Sequence, residues 1–282
     1  MAERILQGKV AMITGAGSPI GLGHAMAVGL ARAGARVALL DLNDAWLQQS
    51  TAAIRLLGGD DCALPIVTDI TNPDAVQQAV NRTLEELGGL HILVNNAGIN
   101  QRAAGYTSSP ANNFWQLTPE AWNHVVAVNL SGAFFMARTV VPHMMAQGWG
   151  RIIGVTTSLD TMWRKGGTPY GPSKAGHEAF VAAAAQELEG TGVTANVLVP
   201  GGATYTNMTA SNTAYDRDKL IKPEVMQAPV VWLASEASNA FNGRRIVAYF
   251  WDESLPLAQR LEKASAPAAW PQLGRQAIFP GR

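Results

Sequence analysis

Short apolar, β-branched runs alternate with longer Ala/Leu-rich stretches along almost the whole chain, and few architectures can bury both. The runs fall at 10–14, 36–40, 63–67, 92–95, 151–156, 194–199 and 244–248. Each is apolar on both faces, which suits strands covered by helices on two sides. Helices are predicted between them at 22–33, 44–57, 73–87, 119–147, 172–190 and 223–234. The alternation predicts an α/β, doubly wound Rossmann-type fold with a mostly parallel central sheet and helices on both faces. Nothing rich in Pro, Gly or Ser divides it, so residues 1–252 read as one domain.

Residues 253–282 read as a C-terminal extension beyond a completed sheet. They carry Leu255, Leu257, Leu261, Trp270, Leu273, Ile278 and Phe279, too much apolar surface to face water alone. Pro267, Pro271 and Pro280 favour an extended strap. It is expected to pack on its own subunit or a neighbouring one, with the crossing favoured because an oligomer places a second apolar surface nearby.

Composition excludes several function classes. Hydrophobic residues make up 48% of the 282 residues and charged residues 15%, which gives a sizeable core and argues against disorder. Twenty-one basic residues balance twenty-one acidic ones, so no field favours nucleic acid or an anionic membrane. The single cysteine, Cys62, can form neither an internal disulfide nor a Cys-rich metal site. His24, His91, His124, His143 and His177 lack metal-ligand spacing, so solvated or capping roles and no metal are expected. No signal peptide stands at the N-terminus, and no apolar segment approaches the roughly 20 residues that span a bilayer. A cytoplasmic protein without membrane partners is expected.

The first predicted strand runs into Thr14-Gly15-Ala16-Gly17-Ser18-Pro19-Ile20-Gly21-Leu22-Gly23, and a helix follows. Glycines at such a turn let backbone N–H groups approach a pyrophosphate at the helix N-terminus. Eighteen residues after Gly23, the second strand ends at Asp41, whose carboxylate can accept hydrogen bonds from adenosine ribose hydroxyls. Its charge would repel a 2′-phosphate, and no Arg or Lys lies in the loop or directly after Asp41 to offset it. The motif points to NAD rather than NADP.

From about residue 8 to residue 248 the chain resembles the classical short-chain dehydrogenase/reductase family. The likeness is carried by Thr14-Gly15 with Gly21-Leu22-Gly23, Asp69, Asn95-Asn96-Ala97-Gly98, Asn129, Tyr170-Gly171-Pro172-Ser173-Lys174 and Pro200-Gly201. It implies an NAD-dependent oxidoreductase that moves a hydride between a nicotinamide cofactor and a secondary alcohol or ketone. The implied cofactor contacts are Gly15, Ser18, Gly21, Leu22, Gly23, Asp41, Asp69, Ile70, Asn96, Ala97, Gly98, Tyr170, Lys174, Pro200 and Gly201. The implied catalytic residues are Asn129, Thr157, Tyr170 and Lys174.

Three features depart from the family pattern. Five residues separate Thr14-Gly15 from Gly21-Leu22-Gly23, two more than usual, which reshapes the phosphate cradle and brings Ser18 into it. The slot of the catalytic hydroxyl, thirteen residues before Tyr170, holds Thr157, with Ser158 beside it. The two side chains point to opposite sides, and spacing favours Thr157. The closing region at 243–252 lacks the usual Asp-Gly-Gly.

Removing an alcohol's proton requires a base, and tyrosine's ordinary pKa of about 10 makes Tyr170 a poor one unaided. Lys174, four residues on along one helical face, is expected to lower that pKa. By resemblance, Thr157 holds the substrate oxygen and Asn129 orders a water that relays protons to Lys174. Asp69 reads either as part of a helix N-terminus or, by resemblance, as an adenine contact. Ser158, Trp163 and Arg164, with Lys165, are candidate substrate contacts; packing and a solvated turn are the plain alternatives.

The expected substrate is a small polyhydroxy compound, sugar or polyol, or a cyclic or aromatic alcohol. An NAD-binding sensor or scaffold without turnover is the alternative. The small residues at 182–185 would let another helix approach closely, and the resemblance implies a homotetramer, with a dimer second.

Overall fold

A computed structural model describes residues 4–102, 113–210 and 216–271. Seven strands lie within one residue of their predicted bounds: β1 (Val10–Thr14), β2 (Arg36–Asp41), β3 (Ala63–Val67), β4 (Ile92–Asn95), β5 (Gly150–Val155), β6 (Val193–Val199) and β7 (Arg244–Val247). All pair in parallel. An eighth, β8 (Ser265–Pro267), runs antiparallel along β7. The order is β3-β2-β1-β4-β5-β6-β7-β8, so the strand sequence reverses between β1 and β4. In such sheets ligands bind beyond the carboxyl ends of the strands at that reversal. The edge strands β3 and β8 contain Pro65 and Pro267.

The helices are α1 (Leu22–Arg32), α2 (Asp44–Gly58), α3 (Pro73–Leu87), α4 (Pro119–Val126), α5 (Gly132–Ala146), α6 (Leu159–Met162), α7 (Tyr170–Glu187), α8 (Asn207–Ala210), α9 (Gln227–Ala234) and α10 (Leu257–Ala264). Strand periodicity divides the core between them. Val10 and Met12 of β1 enter one cluster with residues of α3, α5 and α7, while Ala11 and Ile13 enter the other with α1, α2 and α9. Local chemistry starts the helices where they start. Asn72 accepts from Asp74 N–H and Ala75 N–H ahead of Pro73, and Thr118 accepts from Ala121 N–H ahead of Pro119.

Three expectations change. The helical run Pro119–Ala146, interrupted by a π-helical segment at Ala127–Ser131, is long and apolar enough to cross a membrane by length and composition. The reading that no segment approaches that length is therefore corrected, although Met136, Val140 and Met144 of this run pack into the sheet's core. In α7, Ala184 and Ala185 are buried in the subunit's own core, leaving Ala183 exposed. The extension, finally, does not follow a finished sheet. Its α10 seats Leu261 against the core below β7, and its β8 becomes the last strand. In its described part, through Pro271, the contacts of α10 and β8 are with β7 and the core of the same chain; Leu273, Ile278, Phe279 and Pro280 lie outside the described residues.

Two leucines should separate core from surface. Leu39 is fully buried in β2, whereas Leu56 is 88% exposed. Leu39→Ala is expected to lower the free energy of unfolding by about 2–5 kcal/mol and Leu56→Ala by less than about 0.5 kcal/mol, as read by urea denaturation.

Candidate active site

A cleft of about 1010 Å³ opens at the carboxyl ends of the strands, where the strand order reverses. The glycine loop forms one wall. Gly15 sits at φ +64°, and a Cβ on it would come within 2.8 Å of Ala97 Cα, so the loop can lie this close to the end of β4 only as glycine. Thr14 Oγ1 accepts from the N–H groups of Asn96 and Ala97, each at 3.0 Å, and Asn96 Nδ2 donates back to the carbonyls of Thr14 and Gly15. Asn96 therefore fixes the loop as well as lining the cleft.

Gly21 precedes α1 without a side-chain cap, and the first turn of that helix holds no acid. Its leading N–H groups have no side chain from their own turn, the arrangement that suits a phosphate. Ser18 lines the same wall and accepts from Asn207 Nδ2 at 3.0 Å, which ties the longer loop to α8. Asp41 turns one oxygen to Gly17 N–H at 2.9 Å and the other to Asn43 N–H at 3.1 Å. A Cβ on Gly17 would lie 2.8 Å from the Asp41 side chain, so glycine is what admits the carboxylate. The adjoining wall of Leu40, Leu42, Trp46, Thr68, Asp69 and Ile70 contains no cation. Asp69 accepts from both the N–H and the hydroxyl of Thr71, while Asn72 is the N-cap of α3. This geometry fits a dinucleotide. A nicotinamide cofactor would rest its pyrophosphate against Gly15, Ser18, Gly21 and Leu22 and its adenosine end beside Asp41.

At the other end, Thr157, Tyr170 and Lys174 come together. The Thr157 side chain lies near enough to Tyr170 to influence its phenol. Ser158 turns away and pairs its hydroxyl with Thr161 Oγ1 at 2.8 Å in the first turn of α6. Alternation thus separates the two neighbours, with Thr157 beside the phenol and Ser158 outside the cleft lining. Lys174 is 3% exposed, and its Nζ donates to the Val155 carbonyl at 2.8 Å. Burial lowers its pKa to about 8. Tyr170 departs from expectation: burial raises its pKa, and the Thr157 side chain, rather than Lys174, opposes that rise.

Asn129 sits fully buried in the π-helical segment, away from the cleft surface. It exchanges hydrogen bonds with Ile99, accepting at 2.8 Å and donating at 2.9 Å, and donates to Ser173 Oγ. Its amide thereby fastens the chain leaving β4 to the helix that carries Lys174. Three more expected residues lie off the cleft or at its margin. Gly23 lies beneath the loop, where a Cβ would strike the Gly15 carbonyl. Gly201, at φ +103°, packs against Tyr249, and Gly202 lines the cleft in its place. Trp163 is 67% exposed and outside the lining, whereas Arg164 and Lys165 belong to it. His177, expected to be solvated or capping, is fully buried one turn beyond Lys174, and burial holds its pKa well below the usual value.

The structure adds residues that motif reading missed. Asn100, Gln101, Thr161, Thr204, Thr206 and Thr209 also line the cleft. They come from segments of irregular backbone whose approach is set by the tertiary fold. Among the described residues no group of acids, histidines or cysteines could hold a metal ion.

A nucleotide-shaped crevice meeting a Thr–Tyr–Lys cluster defines an oxidoreductase site. Residues 9–217 match the family described as short chain dehydrogenase, and the chain belongs to it. Among its relatives, the 2,5-dichloro-2,5-cyclohexadiene-1,4-diol dehydrogenase of Sphingobium indicum is 35% identical over 82% of this chain and 84% of that protein. The D-threitol dehydrogenase of Mycolicibacterium smegmatis is 33% identical over 86% of this chain and 92% of that protein. A short-chain type dehydrogenase/reductase structure from Mycobacterium marinum superposes with a TM-score of 0.76 at 29% identity, covering 86% and 95% of the two chains.

Lys174 should leave a mark on stability. With its pKa near 8 in the folded chain and 10.5 ordinarily, the unfolded chain binds the extra proton between those values, so stability rises with pH there. Relative to Lys174→Met, the free protein is expected to gain up to about 1.4 kcal/mol per pH unit from about pH 8 to 10, and nothing below pH 7. Paired denaturation series across that range read the difference.

Proposed function

We propose that the protein is an NAD-dependent dehydrogenase acting on the secondary alcohol of a small polyhydroxy compound, with ketone reduction as the reverse reaction. The convergence of Thr157, Tyr170 and Lys174 on the same cleft as the uncapped start of α1 carries this reading. In oxidation Tyr170 Oη takes the substrate's hydroxyl proton, and Thr157 Oγ1 holds the substrate oxygen beside it. Lys174 Nζ, when charged, favours the tyrosinate. The nicotinamide cofactor, when bound, accepts the hydride in oxidation and supplies it in reduction. NAD is favoured over NADP by Asp41 and by the absence of Arg or Lys among the described residues of the adenosine wall. The polar lining from Asn100, Gln101, Thr161 and Arg164 supports a polyhydroxy substrate over an aromatic one. The sensor or scaffold alternative loses its main support, because Thr157 meets Tyr170.

A homotetramer belongs to the same proposal. Trp122 and Phe134 are 41% and 43% exposed, and Phe134 packs edge-on against Phe180, so α4, α5 and α7 present an aromatic face. Light scattering coupled to size exclusion reads the assembly.

A panel of polyols that includes D-threitol, assayed with NAD and with NADP by absorbance of the reduced cofactor, tests the function. Tyr170→Phe is expected to cut turnover by roughly 10²–10⁴-fold with the Kd for NADH within about twofold, and full activity would overturn the assignment. Thr157→Ala should be far more damaging than Ser158→Ala. Asp41→Ser should narrow the preference for NAD, and an unmodified enzyme that already prefers NADP would contradict the role given to Asp41.

A further inference from the structure

A buried ion pair stands directly behind Thr157. Glu178 of α7 and Arg245 of β7 are 1% and 8% exposed, with Arg245 Nη1 3.2 Å from Glu178 Oε1. Both also hydrogen-bond the segment that carries Thr157. Thr156 Oγ1 donates to Glu178 Oε2 at 3.0 Å, and Arg245 Nη2 donates to the Thr157 carbonyl at 3.1 Å. Glu178 also lies one helical turn beyond Lys174 and two beyond Tyr170. One carboxylate and one guanidinium thus tie the backbone of Thr157 to the helix that carries its partners.

The extension closes the same network. Beyond β8, Ala268 is buried and donates to the Gly243 carbonyl, and Ala269 N–H points at Glu178 Oε1 at 3.4 Å. Ala269 and Trp270 adopt φ values of +56° and +58°, a left-handed conformation disfavoured for residues other than glycine. The chain is bent against its preference where it meets the ion pair. Buried ion pairs add little net stability over well-packed apolar pairs, whereas their hydrogen bonds are directional. Position, more than stability, is what such a pair supplies here.

We propose that Glu178 and Arg245 are positioning residues that hold Thr157 against Tyr170, and that the C-terminal extension, through Ala269, braces this pair in its own subunit. The proposal rests on the assignment of Thr157 and Tyr170 above, and its test needs no substrate. The Thr157 side chain opposes the rise that burial imposes on the Tyr170 phenol, so displacing Thr157 raises the midpoint of Tyr170 ionisation. That midpoint is read from tyrosinate absorbance of the full-length protein after subtraction of Tyr170→Phe, which cancels the other tyrosines.

Arg245→Lys keeps the charge but loses the fork that reaches both Glu178 and the Thr157 carbonyl. It is expected to raise the midpoint by about half a pH unit or more in the otherwise unchanged protein, and by less than about 0.2 unit in a Thr157→Val background. The double variant Glu178→Gln/Arg245→Met, which leaves no buried charge unpaired, should behave the same way if Arg245→Lys fails to fold. A chain ended after Ala264 should shift in the same direction by a smaller amount. An unchanged midpoint in a folded Arg245→Lys or double variant overturns the proposal, as does an equal shift with and without Thr157. If Thr157→Val alone leaves the midpoint in place, the Thr157–Tyr170 pairing itself is wrong, and the positioning role falls with it.

Discussion

The reversal of strand order between β1 and β4 makes the crevice, and the Thr14–Asn96 hydrogen bonds hold it at one width. Two parallel strands that send their following chains to opposite sides of a sheet leave a gap at their carboxyl ends. Here the gap is bridged by the hydroxyl of one strand end and the amide of the other, both aimed at backbone. Everything placed around the cleft is referred to that bridge. Gly15 must come close enough to touch Ala97, α1 must begin directly after the turn, and Asp41 must meet Gly17 from the neighbouring strand.

The second half of the site is built by a different device. Asn129 lies in a π-helical segment, a local irregularity that recurs at functional sites because it redirects a side chain without ending the helix. Its amide bonds Ile99 and Ser173 and so fixes the chain on either side of Lys174. Lys174 in turn donates to β5 next to Thr157. Strand, helix and loop reach the reacting groups through buried polar contacts that leave little freedom of placement.

Much of this was legible in the sequence, and the reason is locality. Strands buried on two faces read as apolar runs, and the seven parallel ones fell within a residue of their predicted ends. Gly15, Asp41, Tyr170 and Lys174 announce themselves because their roles depend on neighbours a fixed number of residues away. What escaped depends on contacts between distant segments. Glu178 and Arg245 look like ordinary charges on a helix and at a strand, and only the fold brings them together 67 residues apart. β8 carries three residues with a proline, too short a pattern to register, and it forms because β7 offers it an unpaired edge. Spacing favours Thr157 over Ser158, and in the fold Ser158 Oγ pairs with Thr161 Oγ1. Ser18, Thr206 and Asn207 share one wall although nearly two hundred residues separate them in the chain.

The prolines at the two margins of the sheet have a consequence for how copies of the chain can associate. Pro65 in β3 and Pro267 in β8 each lack the amide proton that an incoming strand would need. Neither margin therefore offers a complete ladder to a second chain, and the sheet is closed to growth at both ends by covalent structure rather than by charge. Among the described residues, contacts between copies are thereby directed away from the sheet margins and toward helical and loop surfaces.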